Sequence, residues 1–528
     1  MTPARVICSK RLQPVLLLIL IAALCSSCAS VTSTQEIRVP TEYPLTQVTL
    51  FLNGPSQTFK DITYHIDSIS LLDEKGNPLR LVDTALPLRA TDIRSRQMKL
   101  AERPVPEGKY VGLLIAAKRA SVRSSGKEAD LSLFEEETII PLSVTVSRNQ
   151  AIAIFLAWEP DISVVDDYLF RPVLHARVQE PGLTSLMIYV TNEDSHNVYA
   201  INRQSNEVEA TILVGKGPRG IAVNTVSTDK KIFVANSEAN SISVIDARKN
   251  LVETEMPLRF GREPVAVAVA RLSLVSENIY VANYRSNNVS VMDGRTYQEI
   301  DRVDVGNGPV DVAADLPVEA AAASSLSASD METLRNYRQR YMNVYVANKN
   351  DRSISVLKVN TSSGRTEGVT AVPVEWTPVK LFVDYPSATV YGVHRDCDCI
   401  SVINIVQLIR GNVNGAVSYI RFVGLTGTDL AVDKTMNRIY FLKESPAEIL
   451  VLRPLQATTS ATTGAPSMLG MINAGTRPRS LALDPESRKL YLLDSATESL
   501  MVIDKATREQ EKIIPLGRRP YGISMFVD

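Results

Sequence analysis

Apolar and polar positions alternate along most of the chain, in short runs separated by Gly, Pro, Asn and Asp. Residues 44–179 contain several such runs, beginning with VTLFL at Val48 and ITYHIDSISLL at Ile62. Alternation with a period of two is typical of a strand with one buried face, and regularly spaced strands of this kind predict a sandwich. We therefore expect a small antiparallel β-sandwich domain here, with a spacer or docking role.

From Leu186 onward, one unit of four predicted strands recurs seven times. Its first strand has the pattern apolar, Tyr or Phe, apolar, and it recurs every 44 to 51 residues apart from one spacing of 65. That longer spacing contains an insertion, in which Ser329 followed by Glu332 predicts the start of a helix. Four strands in about 40 to 50 residues are typical of a propeller blade. The copies of the first strand are Ile188–Asn192, Ile232–Asn236, Ile279–Asn283, Val344–Asn348, Val390–His394, Ile439–Lys443 and Leu490–Asp494.

The first copy contains Tyr189-Val190-Thr191-Asn192 and resembles the YVTN-repeat β-propeller family over residues 186–528. The resemblance and the seven copies predict an all-β chain, with a seven-bladed β-propeller after the sandwich domain. Counted outward from the centre of the ring, this region begins with a strand that takes the second place in its sheet. It ends with a strand that takes the innermost place. The C-terminal strand, Tyr521–Val527, is therefore expected to pair with Ile188–Asn192 and close the ring. We interpret the repeated Asn as structural, because its side chain bonds readily to nearby backbone.

The first 28 residues are a predicted signal peptide, since basic residues precede the ten apolar residues Val15–Leu24. A membrane-spanning helix needs about 20 apolar residues. The stretch LCSSC that follows resembles the lipobox of bacterial lipoproteins, which implies a lipid on Cys28. Plain secretion without lipid is the alternative. The resemblance also implies that Ala29, directly after the lipidated cysteine, is a sorting signal for the outer membrane. We therefore expect an outer-membrane lipoprotein of the cell envelope, periplasmic or surface-facing, with residues 29–43 as a linker.

The overall charge excludes some classes of partner. Lys and Arg number 57 and Asp and Glu number 58, so the net charge of −1 favours neither nucleic acid nor an anionic membrane surface as partner. A haem-binding CxxCH motif is missing, and four histidines are too few for a copper cluster. No cofactor is assigned. Beyond the signal peptide only Cys397 and Cys399 remain, so stability must come from packing.

One local cluster carries candidate chemistry, the segment HRDCDC from His394 to Cys399. His394 takes the place of the repeated Asn. An imidazole and two thiolates suit zinc or copper, but ligands this close in one turn rarely complete a tetrahedron. A disulfide between Cys397 and Cys399 is the preferred interpretation, and two unbonded cysteines are the remaining alternative.

The turns before the innermost strands are rich in Gly and Pro, and we expect them on one face of the ring. Four of these turns become neighbours when the ring closes, and they are basic. The other three carry Asp311, Glu375 and Asp429. Arginine binds carboxylate and phosphate, so this half of the rim is a candidate site for an anionic partner, with a merely solvated rim as the alternative. The predicted rim consists of Lys216, Arg219, Arg262, Arg477, Arg479, Arg518 and Arg519, with Trp376 and Tyr521 in the same turns.

The resulting hypothesis is a binding or scaffolding module, attached to the membrane by an N-terminal lipid, for an envelope protein or an anionic glycan or lipid head group. No catalytic residue is assigned. The alternative is a propeller enzyme, either a lactonase-like hydrolase or a quinoprotein-like oxidoreductase, with a metal in the central channel. Acids, Asn or His converging on an ion there would favour the enzyme, whereas an apolar channel would favour binding.

Overall fold

Short strands with one or both faces apolar build almost the whole fold in a computed structural model of the chain. The structure describes residues 46–224, 229–315, 326–384, 387–397, 399–421, 426–453 and 467–526. All of them belong to one compact unit, Tyr43–Asp528. The predicted signal peptide, linker and Cys28 lie outside the described residues. Among the helices that are described, none is both long and apolar enough to cross a membrane.

The N-terminal region contains twelve described strands, one α-helical turn, α1 (Ala90–Ile93), and two 3-10 turns, Pro160–Ile162 and Thr184–Leu186. The strands are β1 (Thr46–Asn53), β2 (Asp61–Asp73), β3 (Pro78–Val82), β4 (Leu86–Arg89), β5 (Gln97–Pro104), β6 (Gly108–Ser124), β7 (Lys127–Leu133), β8 (Glu137–Val146), β9 (Gln150–Trp158), β10 (Val164–Val165), β11 (Leu169–Phe170) and β12 (Leu174–Val178).

These strands form two sheets that share one hydrophobic core. Four strands have the order β12-β9-β1-β5, and eight strands centre on β2 and β6. Apolar side chains from both sheets, such as Leu50 of β1 and Ile115 of β6, meet in the core. The expectation of a purely antiparallel region is wrong, because β1 pairs with β9, and β7 with β11, in parallel. Six of the eight strands of the second sheet lie in the chain between β1 and β9, and this long connection permits a parallel pair.

The remaining described strands form a ring, with two helices, α2 (Ala328–Arg338) and α3 (Ile405–Ile409). The strands are β13 (Met187–Asn192), β14 (Asn197–Asn202), β15 (Glu207–Leu213), β16 (Pro218–Val223), β17 (Lys231–Asn236), β18 (Ser241–Asp246), β19 (Leu251–Pro257), β20 (Pro264–Arg271), β21 (Glu277–Asn283), β22 (Asn288–Asp293), β23 (Glu299–Asp304), β24 (Pro309–Ala314), β25 (Tyr341–Asn348), β26 (Ser353–Asn360), β27 (Thr366–Pro373), β28 (Pro378–Asp384), β29 (Thr389–His394), β30 (Cys399–Asn404), β31 (Val417–Arg421), β32 (Gly427–Asp433), β33 (Arg438–Lys443), β34 (Glu448–Leu452), β35 (Met468–Asn473), β36 (Pro478–Leu483), β37 (Lys489–Asp494), β38 (Ser499–Asp504), β39 (Gln510–Pro515) and β40 (Pro520–Met525).

Within the described residues, these strands make seven four-stranded antiparallel sheets, here called ring sheets 1 to 7. Ring sheet 1 has the order β15-β14-β13-β40, and ring sheets 2 to 7 take four consecutive strands each, from β16 to β39. The innermost strands contact one another in sequence, and β40 contacts both β36 and β16. This is the arrangement of a β-propeller. The C-terminal strand occupies the place that the strand order predicts, with Val190 opposite Ile523.

A hydrophobic core lies between each pair of neighbouring ring sheets. The aromatic side chain of the repeat belongs to these cores, and Tyr280, Tyr345 and Tyr440 are fully buried. Each core takes its residues from two sheets, for example from ring sheets 2 and 3 or from ring sheets 6 and 7. Every unit therefore depends on its two neighbours for burial of its apolar faces, as expected of a repeat architecture.

The N-terminal region packs against ring sheets 1 and 7. Phe51 of β1 contacts Tyr199 edge to face, with ring centroids 5.8 Å apart. Beside it the Glu102 carboxylate accepts hydrogen bonds from the Asn197 amide at 2.6 Å and the Tyr199 hydroxyl at 3.1 Å. Phe51 and Tyr199 are both buried in one core. Strand β1 therefore has one face in the core of the N-terminal region and the other face against the ring.

Helix α2 lies in the insertion, but its cap differs from the predicted one. The side chain of Ser327, not Ser329, accepts a hydrogen bond from the Asp330 backbone N–H at 3.1 Å. The two serines have the same chemistry, and only the first has the extended backbone that a capping residue needs.

Candidate binding site

Every innermost strand of the ring begins with a β-bulge. Six of the seven begin at proline, and β32 begins at Gly427. The pairing with the next strand shifts directly after this first residue, where one extra residue is accommodated. Proline suits such a position because it has no N–H to donate to the ladder, and a bulge redirects the side chains that follow.

The two residues after the first one line a central cavity of about 410 Å³. The cavity reaches the face of the ring on which the innermost strands begin, here called the turn face. The outer layer of its wall consists of Arg219, Val265, Val310, Val379, Thr428, Arg479 and Tyr521. The inner layer consists of Gly220, Ala266, Asp311, Lys380, Asp429, Ser480 and Gly522. The inner layer is thus polar on the side of ring sheets 4 to 7, with three small residues on the other side.

Asp311 and Asp429 lie in the cavity wall and are buried, whereas the sequence placed them on the exposed rim. Each carboxylate accepts a hydrogen bond from the backbone of the next innermost strand, Asp311 from the Leu381 N–H at 2.8 Å and Asp429 from the Leu481 N–H at 2.9 Å. Asp429 also accepts a bond from the Ser480 hydroxyl at 2.7 Å. Both acids therefore hold neighbouring ring sheets together.

Lys380 extends into the cavity between these two acids. Its ammonium group donates to Asp311 at 3.1 Å, and the side chain is 41% exposed. Desolvation opposes its charge, but the negative charges of Asp311 and Asp429 outweigh that effect and raise the pKa of Lys380. Burial in turn raises the pKa of Asp311, against the influence of Lys380. Lys380 is therefore a charged hydrogen-bond donor in the cavity.

Tyr521 lies between two arginines at the mouth of the cavity. The Arg479 guanidinium lies 4.1 Å from the centroid of the Tyr521 ring, and the Arg219 guanidinium lies 5.6 Å from it. Arg219 is fixed by Glu193 at 2.8 Å and by Glu263 at 3.1 Å. Cation–π contacts of this kind orient an arginine without using its N–H donors. Arg479 has no acid partner among the described residues, so its donors face the cavity unpaired.

Most of the predicted cationic rim is neutralised by acids of the turn face. Lys216 pairs with Glu238 at 3.4 Å, Arg477 with Glu444 at 3.7 Å, and Arg519 with Glu193 at 3.2 Å. Arg219 is paired as described above. Within the part of the chain that the structure describes, the rim arginines without a carboxylate partner are Arg262, Arg479 and Arg518.

Trp376 and Glu375 lie away from these three arginines, in ring sheet 5. The Trp376 ring is half-buried and packs edge to face on Tyr419, with centroids 5.0 Å apart. The Arg421 guanidinium lies 5.0 Å from the Trp376 centroid and pairs with Glu375 at 3.4 Å. One face of the indole is thus already in contact with protein, which favours a packing role.

The repeated Asn is a link between adjacent strands. In ring sheets 1 to 4 its amide donates to the residue five positions later, as Asn236 does to the Ser241 hydroxyl at 3.0 Å. In ring sheets 2 to 4 it also reaches the residue seven positions later, such as Ser243 at 2.9 Å. These amides are completely buried. The contacts agree with a structural role for the repeated Asn.

His394 takes this position in ring sheet 5 without making the link. The ring is completely buried between Trp376 and Tyr419, and neither of its nitrogens has a hydrogen-bond partner among the described residues, although the backbone of Trp376 and Thr377 adjoins it. Burial is the main reason that the pKa of His394 falls to about 4, against the opposing charge of Asp396. At neutral pH His394 is an uncharged imidazole.

The two cysteines beside His394 are joined in a disulfide, with Cα atoms 5.3 Å apart. Both are buried. Among the described residues, no group of three or more His, Cys, Asp or Glu side chains is arranged to hold a metal ion. The structure therefore brings His394, Cys397 and Cys399 together, with the thiols engaged in a covalent bond.

We expect His394→Asn to reduce the acid sensitivity of the fold. A histidine whose folded pKa is about 4 stays neutral while the unfolded chain becomes protonated near pH 6.5, so its contribution to stability is complete above pH 6.5 and is lost as pH falls toward 4. Between pH 7 and pH 5, wild type should lose roughly 2 kcal/mol more unfolding free energy than the variant. Urea denaturation at both pH values measures this, and parallel losses would contradict it.

The sequence pattern missed one group of cavity residues, those directly after the repeated Asn or its replacement. Tyr284, Lys349, Arg395 and Glu444 hold this position and line the mouth of the cavity. Arg395 pairs with Glu444 at 3.6 Å, whereas Lys349 has no acid partner among the described residues. Aligning the units on the Asn and reading the next residue would have found this layer, because each second strand ends on the turn face.

The chain matches no protein-family model, and no curated protein matches it. In structure it is similar to a functionally unknown protein from Desulfotomaculum acetoxidans DSM 771, with a TM-score of 0.50 and 11% identity over 65% of this chain and 99% of that chain. Kuenenia stuttgartiensis hydrazine synthase is similar with a TM-score of 0.48 and 13% identity over 62% of this chain and 94% of that chain. A protein from Bacteroides fragilis NCTC 9343, provisionally named 6-phosphogluconolactonase, has a TM-score of 0.46 and 13% identity over 66% of this chain and 100% of that chain. At such identities the likeness concerns the fold alone, and these neighbours are of the β-propeller type.

Proposed function

We propose that the protein is an envelope lipoprotein in which a seven-bladed, YVTN-type propeller binds an anionic partner on its turn face. In this proposal residues 44–179 form a β-sandwich domain, and a lipid on Cys28 attaches the chain to the outer membrane. The partner is an envelope protein or an anionic glycan or lipid head group. The N-terminal region packs on ring sheets 1 and 7.

One observation carries the proposal. Among the described residues, Arg262, Arg479 and Arg518 on the turn face have no carboxylate partner, while the other rim cations are matched by acids; the Arg518 guanidinium donates to the Asp194 carbonyl oxygen, at 2.9 Å. Unpaired guanidinium groups attract and orient carboxylate, sulfate or phosphate, and they do so without first breaking an internal ion pair. The cavity at the centre of this face adds a concave surface with further donors.

The hydrogen bonds of two buried acids support binding as the first candidate. The two buried acids that could have served as metal ligands or as a general base, Asp311 and Asp429, accept backbone hydrogen bonds from the next ring sheet. Removing either acid from that role would leave a buried N–H unpaired, which is costly. Their positions are consistent with a role in holding the ring together.

Charge reversal on the turn face tests the proposal. We expect the double variant with Arg262→Glu and Arg518→Glu to lose at least tenfold in affinity for a sulfated polysaccharide or for vesicles containing phosphatidylglycerol, since two attractive contacts become repulsive. Isothermal titration of the full chain measures this. The matched control, Lys118→Glu with Lys249→Glu, has the same charge change on exposed positions elsewhere. Equal loss in both variants would mean that only net charge matters, and binding unchanged in the first variant would refute the proposal.

A propeller enzyme remains the second candidate, favoured by the polar side of the cavity with Lys380, Asp429 and Ser480. In a lactonase-like reaction Lys380 would polarise the carbonyl and Asp429 would activate water. Lactone hydrolysis by the purified chain that disappears in Asp429→Asn, with the melting temperature retained, would favour this candidate over binding.

A further inference from the structure

Two cavity cations, Arg479 and Lys349, have no acid partner in the part of the chain that the structure describes, and they belong to ring sheets on opposite sides of the cavity. Arg479 lies on β36 of ring sheet 7, and Lys349 follows β25 of ring sheet 4. In a closed ring of seven sheets, these two are separated by two sheets on one side and three on the other, which is as far apart as the ring allows. We infer that the cavity binds a small ligand with two anionic groups, one held by Arg479 and the other by Lys349. The inference rests on the proposed binding function and specifies its ligand.

Arg479 is preorganised for one anionic group. Its guanidinium lies 4.1 Å from the centroid of the Tyr521 ring, and the Arg219 guanidinium lies 5.6 Å from the same centroid. Arg219 in turn is held by two carboxylates, Glu193 and Glu263. This stack holds the Arg479 donors in place before the ligand arrives, which reduces the entropy lost on binding. A planar carboxylate or a phosphate matches the fork of donors.

Lys349 supplies the second charge from a fixed piece of backbone. Its own N–H donates to the Gly308 carbonyl oxygen at 2.9 Å, and the next residue, Asn350, donates to Asn307 through both backbone and side chain. Lys349 as a whole is half-buried, lines the cavity and has no acid partner among the described residues. A lysine held this way acts as a point charge for an anionic oxygen.

The rest of the wall suits the uncharged middle of such a ligand. Lys380 is already paired with Asp311, and Arg395 with Glu444, so neither adds a free charge. Val265, Val310 and Val379 give the outer layer an apolar stretch over ring sheets 3 to 5, around Lys349 and opposite Arg479. The volume of about 410 Å³ suits a small molecule rather than a polymer. Linear dicarboxylates and phosphorylated carboxylates share this chemistry.

Titration calorimetry on the full chain tests the inference with linear dicarboxylates of three to seven carbons, phosphoglycolate, inorganic phosphate and monocarboxylates of the same lengths. We expect at least one dianion of two separated groups to bind tenfold or more tightly than the monocarboxylate of equal length. Arg479→Met and Lys349→Met should each remove that advantage, while Lys118→Met should change affinity by less than twofold. Comparing the affinity for phosphoglycolate with the affinities for the dicarboxylates shows whether the second anionic group is a phosphate or a carboxylate.

Several results would overturn the inference. A dianion that binds no better than its monocarboxylate would remove the need for two cationic contacts, and a preference that survives both cavity variants would place the site elsewhere. Thermal melts of each variant show whether it is folded, and the surviving affinity for monocarboxylates shows whether the cavity is intact. If small dianions fail but the polysaccharide or the vesicles still bind in an Arg262- and Arg518-dependent way, the proposed function stands and the inference falls.

Discussion

Truncating the chain before Pro520 is expected to abolish cooperative thermal unfolding of the ring. Strand β40 is the innermost strand of ring sheet 1, and its loss removes the neighbour of both β16 and β36. Met525 and Phe526 are buried in two different cores between sheets, and burial of each side chain contributes about 1.5–3 kcal/mol. Together with the lost strand pairing, this approaches a typical net stability of about 5–15 kcal/mol.

Differential scanning calorimetry of the truncated chain measures the effect. A chain that ends at Phe526 is the matched control, because it retains all of β40 and should melt as wild type does. Retained wild-type melting in the longer truncation would show that the ring is stable without its C-terminal strand, and it would contradict the shared sheet as the element that closes the ring.

The second large effect is expected at the ion pair that joins ring sheets 1 and 7 outside the cavity. Arg203, directly after β14, pairs with Asp484 at 2.8 Å, and their side chains are only 4% and 3% exposed. Replacing Arg203 by Met leaves the Asp484 carboxylate buried without its main partner, and breaking such a pair costs about 3–5 kcal/mol. Urea denaturation should therefore show a loss of this size.

Two comparisons make this prediction specific. The double variant with Arg203→Met and Asp484→Leu should recover much of the loss, because it removes the buried charge as well. Arg119→Met breaks a pair with Asp130 of similar length, 2.6 Å, but both side chains are more than half exposed, and the expected cost is below about 1 kcal/mol. Equal losses in Arg203→Met and Arg119→Met would contradict a role for burial.

The repeat made the ring predictable from sequence. Tyr189 and its equivalents mark the second strand of each sheet, and the Asn after them marks its end, because burial and a strand-linking amide are needed at the same place in every unit. The repeat region starts with the strand that contains Ile188 and ends with the strand that contains Ile523. These two strands must therefore pair for the ring to close. These patterns are local and occur in a fixed order. In a propeller, units that follow one another in sequence are also neighbours in space.

What the pattern could not predict depends on contacts between units or between distant segments. The parallel pairing of β1 with β9 depends on the long connection between these two strands. The local alternation of apolar and polar residues does not predict it. The acids Glu193, Glu238, Glu263 and Glu444 neutralise four of the seven rim cations, and they come from a different turn than the cations they bind. The sequence alone does not distinguish Asp311 from an exposed aspartate, yet the bulge after Pro309 places it in the cavity wall.

The bulge at the start of each innermost strand separates recognition from architecture. Two positions per strand line the cavity, and apart from Ala266, Val310 and Val379 they lie outside the apolar cores between neighbouring sheets. Substitutions at these positions, other than the sheet-linking acids Asp311 and Asp429, can alter which molecule is accepted while the apolar cores remain as they are. A family of such proteins could therefore diverge in ligand preference through very few changes, at the two residues that follow the first residue of each innermost strand.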